Sequence, residues 1–198
     1  VQVTDSDVLD RLPAWSPDGD WIVYSSDTAD DGNYDLYRIR ADGAGVPELL
    51  LTNGARNSHP RYSPDGRYVV YTTGPSDNAL AWEVARLDIQ TGEVLTLTNN
   101  DVRDASPNFS PDGQTVLFTT DGDGGSALAT INVDGSGEVT IVEDHLGREW
   151  GGYYSPDGAH VIYNSEQGIV SEIYYFPANG GDRILVEGEG GFYPSWVP

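Results

Sequence analysis

The sequence predicts an all-β chain: a four-bladed β-propeller of four-stranded antiparallel blades, with surplus strand segments at both termini. Three observations lead there. The tetrapeptide Ser-Pro-Asp-Gly occurs at 16–19, 63–66, 110–113 and 155–158, at intervals of 47, 47 and 45 residues, a period that suits one four-stranded blade. Each copy is followed by a short apolar run rich in β-branched and aromatic residues, the mark of a strand buried on both faces. Gly (24) and Pro (12) are plentiful, as in chains of many short strands joined by tight turns.

The strands follow in order within each repeat. An aromatic precedes each tetrapeptide (Trp15, Tyr62, Phe109, Tyr154), and two residues before it stand Pro13, Pro60, Pro107 and Gly152. This is the inner strand. The second strand begins with the apolar runs 21–24, 68–71, 115–118 and 160–163. A third is expected at 34–40, 82–89, 127–133 and 172–176. It ends in the turn pairs Asp42-Gly43, Thr91-Gly92, Asp134-Gly135 and Gly180-Gly181, which are hairpin signals. A fourth closes the unit at 48–52, 93–98, 138–142 and 183–186. The whole chain, 1–198, reads as one domain with repeats at about 11–53, 58–99, 105–143 and 150–187 and terminal segments at 1–5 and 191–198. In Ser-Pro-Asp-Gly itself, Pro presets φ at the second turn position, while Asp and Gly suit the third and fourth. Asp18, Asp65, Asp112 and Asp157 therefore read as turn residues rather than as a catalytic carboxylate set.

The string Leu51-Thr52-Asn53 … Pro60-Arg61-Tyr62-Ser63-Pro64-Asp65-Gly66 resembles the TolB-type propeller repeat, and the resemblance extends over essentially the whole chain. It implies the propeller fold. Similar repeats occur in periplasmic protein-binding propellers, in peptidase substrate-gating domains and in some polysaccharide lyases. Propellers of this family usually have six blades, so with four repeats the family's partner surface is not carried over.

Both ends carry extra segments. Val1-Gln2-Val3-Thr4 resembles the end of a fourth strand, and Pro194, Trp196 and Pro198 align with Pro13, Trp15 and Pro17, as if a fifth repeat were starting. These segments either clasp the chain internally or are donated to a neighbour by β-augmentation, which gives closed rings or open filaments. The chain starts at Val1 and has no Met, which suggests a removed signal peptide and an extracellular or periplasmic location. The absence of Cys rules out disulfides and thiolate metal sites. No run is apolar enough for a helical membrane span.

The charge narrows the partners. Acids number 32 and bases 10, all of them Arg, for a net charge of −22; such a surface repels nucleic acid and anionic lipid and attracts cations. Two constellations of oxygens point to Ca²⁺. Six residues before each motif Ser lie Asp10, Asn57, Asp104 and Glu149. They precede the inner strand and are expected to ring the channel mouth, where oxygens suit a hard cation. Pairing with Arg56, Arg103 and Arg148, or bonding to loop backbone, is the plainer alternative and the weightier of the two. The second set is the acidic, Gly-containing loops with Asp27, Asp30 and Asp31 and with Asp121 and Asp123. They lack EF-hand spacing, and a solvated hairpin loop is the alternative.

No Gly-x-Ser-x-Gly elbow, phosphate loop or His-Glu-x-x-His occurs, so no catalytic motif is present. His59, His145 and His160 occupy different repeat positions; His160 reads as packing, while His59 abuts an inner strand. Trp82, Trp150 and Tyr153 could stack on sugars, although packing between blades is the commoner use of aromatics. The leading expectation is a non-enzymatic secreted structural protein that self-assembles head to tail, as a filament or other polymer, through terminal strand donation and Ca²⁺ binding. The alternatives are a monomeric cell-envelope propeller binding a protein or glycan, and a carbohydrate-active enzyme.

Overall fold

The computed structural model describes residues 2–29, 31–122, 125–143, 148–168, 170–187, 194 and 196. Each repeat folds as a four-stranded antiparallel meander. The first holds β1 (Asp10–Trp15), β2 (Trp21–Ser26), β3 (Asp35–Arg40) and β4 (Glu48–Leu51). The second holds β5 (Arg56–Tyr62), β6 (Tyr68–Gly74), β7 (Glu83–Asp88) and β8 (Val94–Thr96), with a short 3₁₀ turn, Ala79–Ala81, before β7. The third holds β9 (Asp104–Phe109), β10 (Thr115–Gly122), β11 (Gly125–Asn132) and β12 (Thr140–Glu143). The fourth holds β13 (Arg148–Tyr154), β14 (His160–Gln167), β15 (Val170–Pro177) and β16 (Ile184–Glu187). A single parallel bridge, Ser126 to Arg148, joins the third and fourth sheets. The chain divides into two compact units, Val1–Pro107 and Asn108–Pro198.

The tetrapeptide closes the β1–β2 turn and its three counterparts in the same way. The Ser hydroxyl donates to the Asp carboxylate at 2.5 Å in Ser16–Asp18 and at 2.6 Å in the other three. That carboxylate accepts the backbone N–H of Asp20, Arg67, Gln114 or Ala159, and the Ser oxygen accepts that of Trp21, Tyr68, Thr115 or His160. The Ser hydroxyl, then the backbone N–H, hold all four carboxyl groups below their ordinary pKa.

In the first unit the core lies between its two sheets, where Val23 and Leu36 meet Val69, Tyr71, Ala85 and Leu87, all at most 1% exposed. In the second unit Leu117 and Leu128 meet Val161, Tyr163 and Phe176. The period-2 alternation of a strand sends the third residue of each apolar run to one face and the second and fourth to the other. A run apolar throughout therefore serves two neighbours. Each such side chain contributes about 1.5–3 kcal/mol by burial.

Residues 2–5 form no strand. Val3 and Thr4 instead line an open cavity of about 340 Å³ with Tyr24, Tyr37 and Ile39, so the apolar side chain covers a sheet face rather than extending an edge. Of the segment 191–198, only Pro194 and Trp196 lie within the described residues. Pro194 is buried. The Trp196 indole N–H donates to Tyr153 O at 3.1 Å, and its ring lies 6.3 Å from that of His160.

Candidate functional site

Each inner strand starts with the same local device. The ladder skips between Arg11 and Ala14, between Ser58 and Arg61 and between Trp150 and Tyr153. Inside these bulges the backbone turns left-handed: φ is 54° at Leu12, 53° at His59 and 66° at Gly151, and Ser106 of β9 shares it at 56°. For a residue with a Cβ this conformation costs about 1–2 kcal/mol, so the surrounding structure holds it in place. The bulged residue is released from the ladder while its neighbours stay paired.

The residue two before the bulge anchors the strand. Asn57 N donates to Tyr34 O at 2.9 Å, and its Nδ2 donates to the same oxygen at 2.9 Å. Asp104 N donates to Trp82 O at 2.7 Å. The side chain four residues earlier reaches back to the anchor: Ser6 Oγ to Asp10 at 2.8 Å, Asn53 Nδ2 to Asn57 Oδ1 at 3.4 Å and Asn100 Nδ2 to Asp104 at 2.9 Å. Thr73 Oγ1 also donates to Asn57 Oδ1, and Ser165 Oγ donates to Glu149 at 3.2 Å. Asn57, Asp104 and Glu149 are fully buried, and Asp10 is half-buried. The four oxygen-bearing positions singled out in the sequence thus share one structural role, fastening inner-strand starts to loop and strand.

Asp27, also buried, accepts the N–H groups of Asp31 and Gly32, each at 3.1 Å, and Asp31 accepts Asn33 N at 2.9 Å. Asp121 pairs with Ser126 in the β10–β11 hairpin. Asp30 and Asp123 lie outside the described residues, as do Asp144, Glu189 and His145. Among the described residues, no group of three or more His, Asp or Glu side chains is arranged to hold a metal ion.

Around His59 the sign of the charge reverses. Burial, then the positive charges of Arg61, Arg103 and Arg56, push its pKa down to about 4, so the ring is neutral at ordinary pH. Arg56 lies between two aromatic rings, 4.8 Å from the centroid of Tyr34 and 5.4 Å from that of Trp82. Arg103 sits 5.5 Å from the Trp82 centroid and Arg11 sits 5.6 Å from that of Tyr34. Trp82 is fixed by its indole N–H, which donates to Pro75 O at 3.0 Å. This alternation of guanidinium and ring escapes a reading by motif. The available signal was Arg at one repeat position (56, 103, 148), with an aromatic, Tyr34 or Trp82, just before β3 and β7. His160 packs edge-on against Tyr175 at 5.5 Å, as a packing residue does.

The family model described as the TolB beta propeller domain matches residues 1–148. No curated protein sequence matches the chain. Among solved structures, a putative TolB from Agrobacterium tumefaciens is 20% identical with a TM-score of 0.74, over 94% of this chain and 83% of that one. TolB from Acinetobacter baumannii is 24% identical with a TM-score of 0.76, over 92% and 44%. An oligogalacturonate lyase in complex with manganese is 19% identical with a TM-score of 0.71, over 96% and 56%. The chain thus spans about half the length of the latter two, and at these identities the likeness is one of fold.

Proposed function

We propose that this chain, which belongs to the TolB beta propeller domain family, is a non-enzymatic binding module. It acts in the periplasm or outside the cell and takes a protein or glycan partner where the inner strands of its first unit begin. The carrying observation is the left-handed backbone at Leu12, His59 and Ser106 of the first unit. Leu12 and His59 are released from their ladders there, and the three residues differ while the frame around them repeats. A rigid frame presenting non-identical side chains is a recognition surface. The engagement of the turn carboxylates by Ser hydroxyls and backbone amides also favours binding over acid–base chemistry. The test is capture of envelope proteins and binding to a glycan panel by the wild-type chain and by a Leu12→Ala/His59→Asn/Ser106→Ala variant of equal thermal stability. Loss of a wild-type partner in the variant supports the reading. An unchanged partner set, or turnover of a glycan, removes it.

A second reading is head-to-tail self-assembly with Ca²⁺ held by the acidic loops. It draws support from the first sheet, where Trp15 is 63% exposed and Val3, Tyr24 and Ile39 line an open cavity. Light scattering in Ca²⁺ and then in excess chelator tests it. Particles that dissociate on chelation favour assembly, and a monomer in both conditions discards it.

A further inference from the structure

In a chain with 32 acids and 10 bases, a solvent-accessible guanidinium is expected to find a carboxylate. Arg38, Arg40 and Arg67 do so, with Glu48, Asp20 and Asp88. Arg56 and Arg61 make no ion pair among the described residues. Arg61 Nη1 donates to Pro60 O at 2.8 Å. Arg56 is held between the rings of Tyr34 and Trp82, and its buried Nε has no hydrogen-bond partner among the described residues. Both side chains are half-buried, so they are partly stripped of water yet reachable. A planar guanidinium fixed in this way is preorganised for the fork-to-fork geometry of a carboxylate. The histidine beside them carries no competing charge.

We propose that Arg56, Arg61 and Arg103, gathered about the bulged His59 in the first unit, form a recognition site for the carboxylate of a small monoanionic acid. The inference rests on the binding-module reading and names a ligand class for it. A long polyanion is disfavoured, because the net charge of −22 repels it well before contact, whereas a single charge meets the local positive field. The carboxylate would take two or three charge-assisted hydrogen bonds from the terminal guanidinium nitrogens of Arg56 and Arg61, both half-buried.

The reporter is His59 itself, since the chain has three histidines and their ring resonances can be followed separately. Bound carboxylate offsets the arginines, so the His59 pKa should rise by about one unit or more. The probes are galacturonate and N-acetylglycinate, which distinguish a sugar acid from an acylated amino acid, with galactose and inorganic phosphate as controls. The expected result is a saturable rise with at least one carboxylate, none with galactose, a weaker response to phosphate, and loss of the response in Arg56→Gln and in Arg61→Gln. A His59 ring unmoved by both acids, an equal response to phosphate, or a full response in both variants would overturn the proposal. A partner still captured by wild type while His59 ignores both acids would leave the binding module standing and remove only its ligand class.

Discussion

Gly152 stands where the other three repeats carry Pro13, Pro60 and Pro107, and the packing explains the exception. A Cβ there would lie 2.9 Å from Leu117 Cδ2 and 3.2–3.3 Å from the two Leu128 methyls. Leu117 occupies the repeat position held by Val23 in the first sheet. The second unit thus spends on a leucine the space that the first leaves for a ring at Pro60. Gly152→Ala should destabilise the chain. Overpacking of this kind costs about 1–3 kcal/mol, and the stiffer unfolded chain returns about 0.4–1 kcal/mol, leaving a net loss of about 0.5–2 kcal/mol. Leu117→Val alone loses about 1 kcal/mol through one buried methylene and the space it leaves. The double variant removes the atom that Cβ strikes, so its stability should match that of Leu117→Val, with a coupling of about 1 kcal/mol. Urea unfolding followed by circular dichroism of all four chains measures this. A neutral Gly152→Ala, or losses that add to within about 0.5 kcal/mol, would refute the argument.

Three further outcomes follow from the geometry. His59 has a folded pKa of about 4 against an ordinary 6.5, so the unfolded chain takes up the proton first. Stability is full above pH 6.5 and falls between 6.5 and 4, by about 3 kcal/mol in total. His59→Asn, which tolerates the left-handed backbone, should erase that component, and parallel slopes for the two chains would contradict it. Asp65, held low by the Ser63 hydroxyl and then by Arg67 N–H, contributes stability above the unfolded carboxyl pKa that is lost as pH falls through its folded value. Asp65→Asn should therefore be less stable than wild type at neutral pH and converge with it in acid, a difference that thermal melts across pH would show. Trp196→Phe removes the donor to Tyr153 O and should lower the stability of the second unit by about 1 kcal/mol. An unchanged melting curve would mean that this contact contributes nothing in solution.

What was legible in the sequence was what is local. The Ser-Pro-Asp-Gly turns close through bonds spanning two to five residues, and the third and fourth strands of each repeat fall within about two residues of their expected limits, while β6, β10 and β14 run three or four residues past their apolar runs. Trp196 contacts Tyr153 of the fourth repeat, but neither Pro194 nor Trp196 lies in a strand. The role of the anchors was only half legible. Their oxygens stood out by position, but the partner of Asn57 is a carbonyl 23 residues away in another sheet. A count of charges likewise cannot see that Asp27 faces two backbone amides. Nothing in a leucine announces a positive φ, so the bulge at Leu12 emerges only when flanking strands impose it. The arginines around His59 were visible as counterions for acids, and their stacking on Tyr34 and Trp82 was not.

The bulged positions also bear on how such a chain diverges after duplication. Around each of them the frame carries the same demands: a proline or glycine to enter, an aromatic to pack, a tetrapeptide to turn. A substitution in that frame disturbs packing or a turn. The bulged residue answers instead to a left-handed backbone, and in this chain it is Leu, His, Ser and Gly in turn. One letter per repeat can therefore vary among residues that accept that backbone, at about 1–2 kcal/mol for any side chain beyond glycine, and selection on what the surface recognises can act there without changing the turn or the packing of the frame.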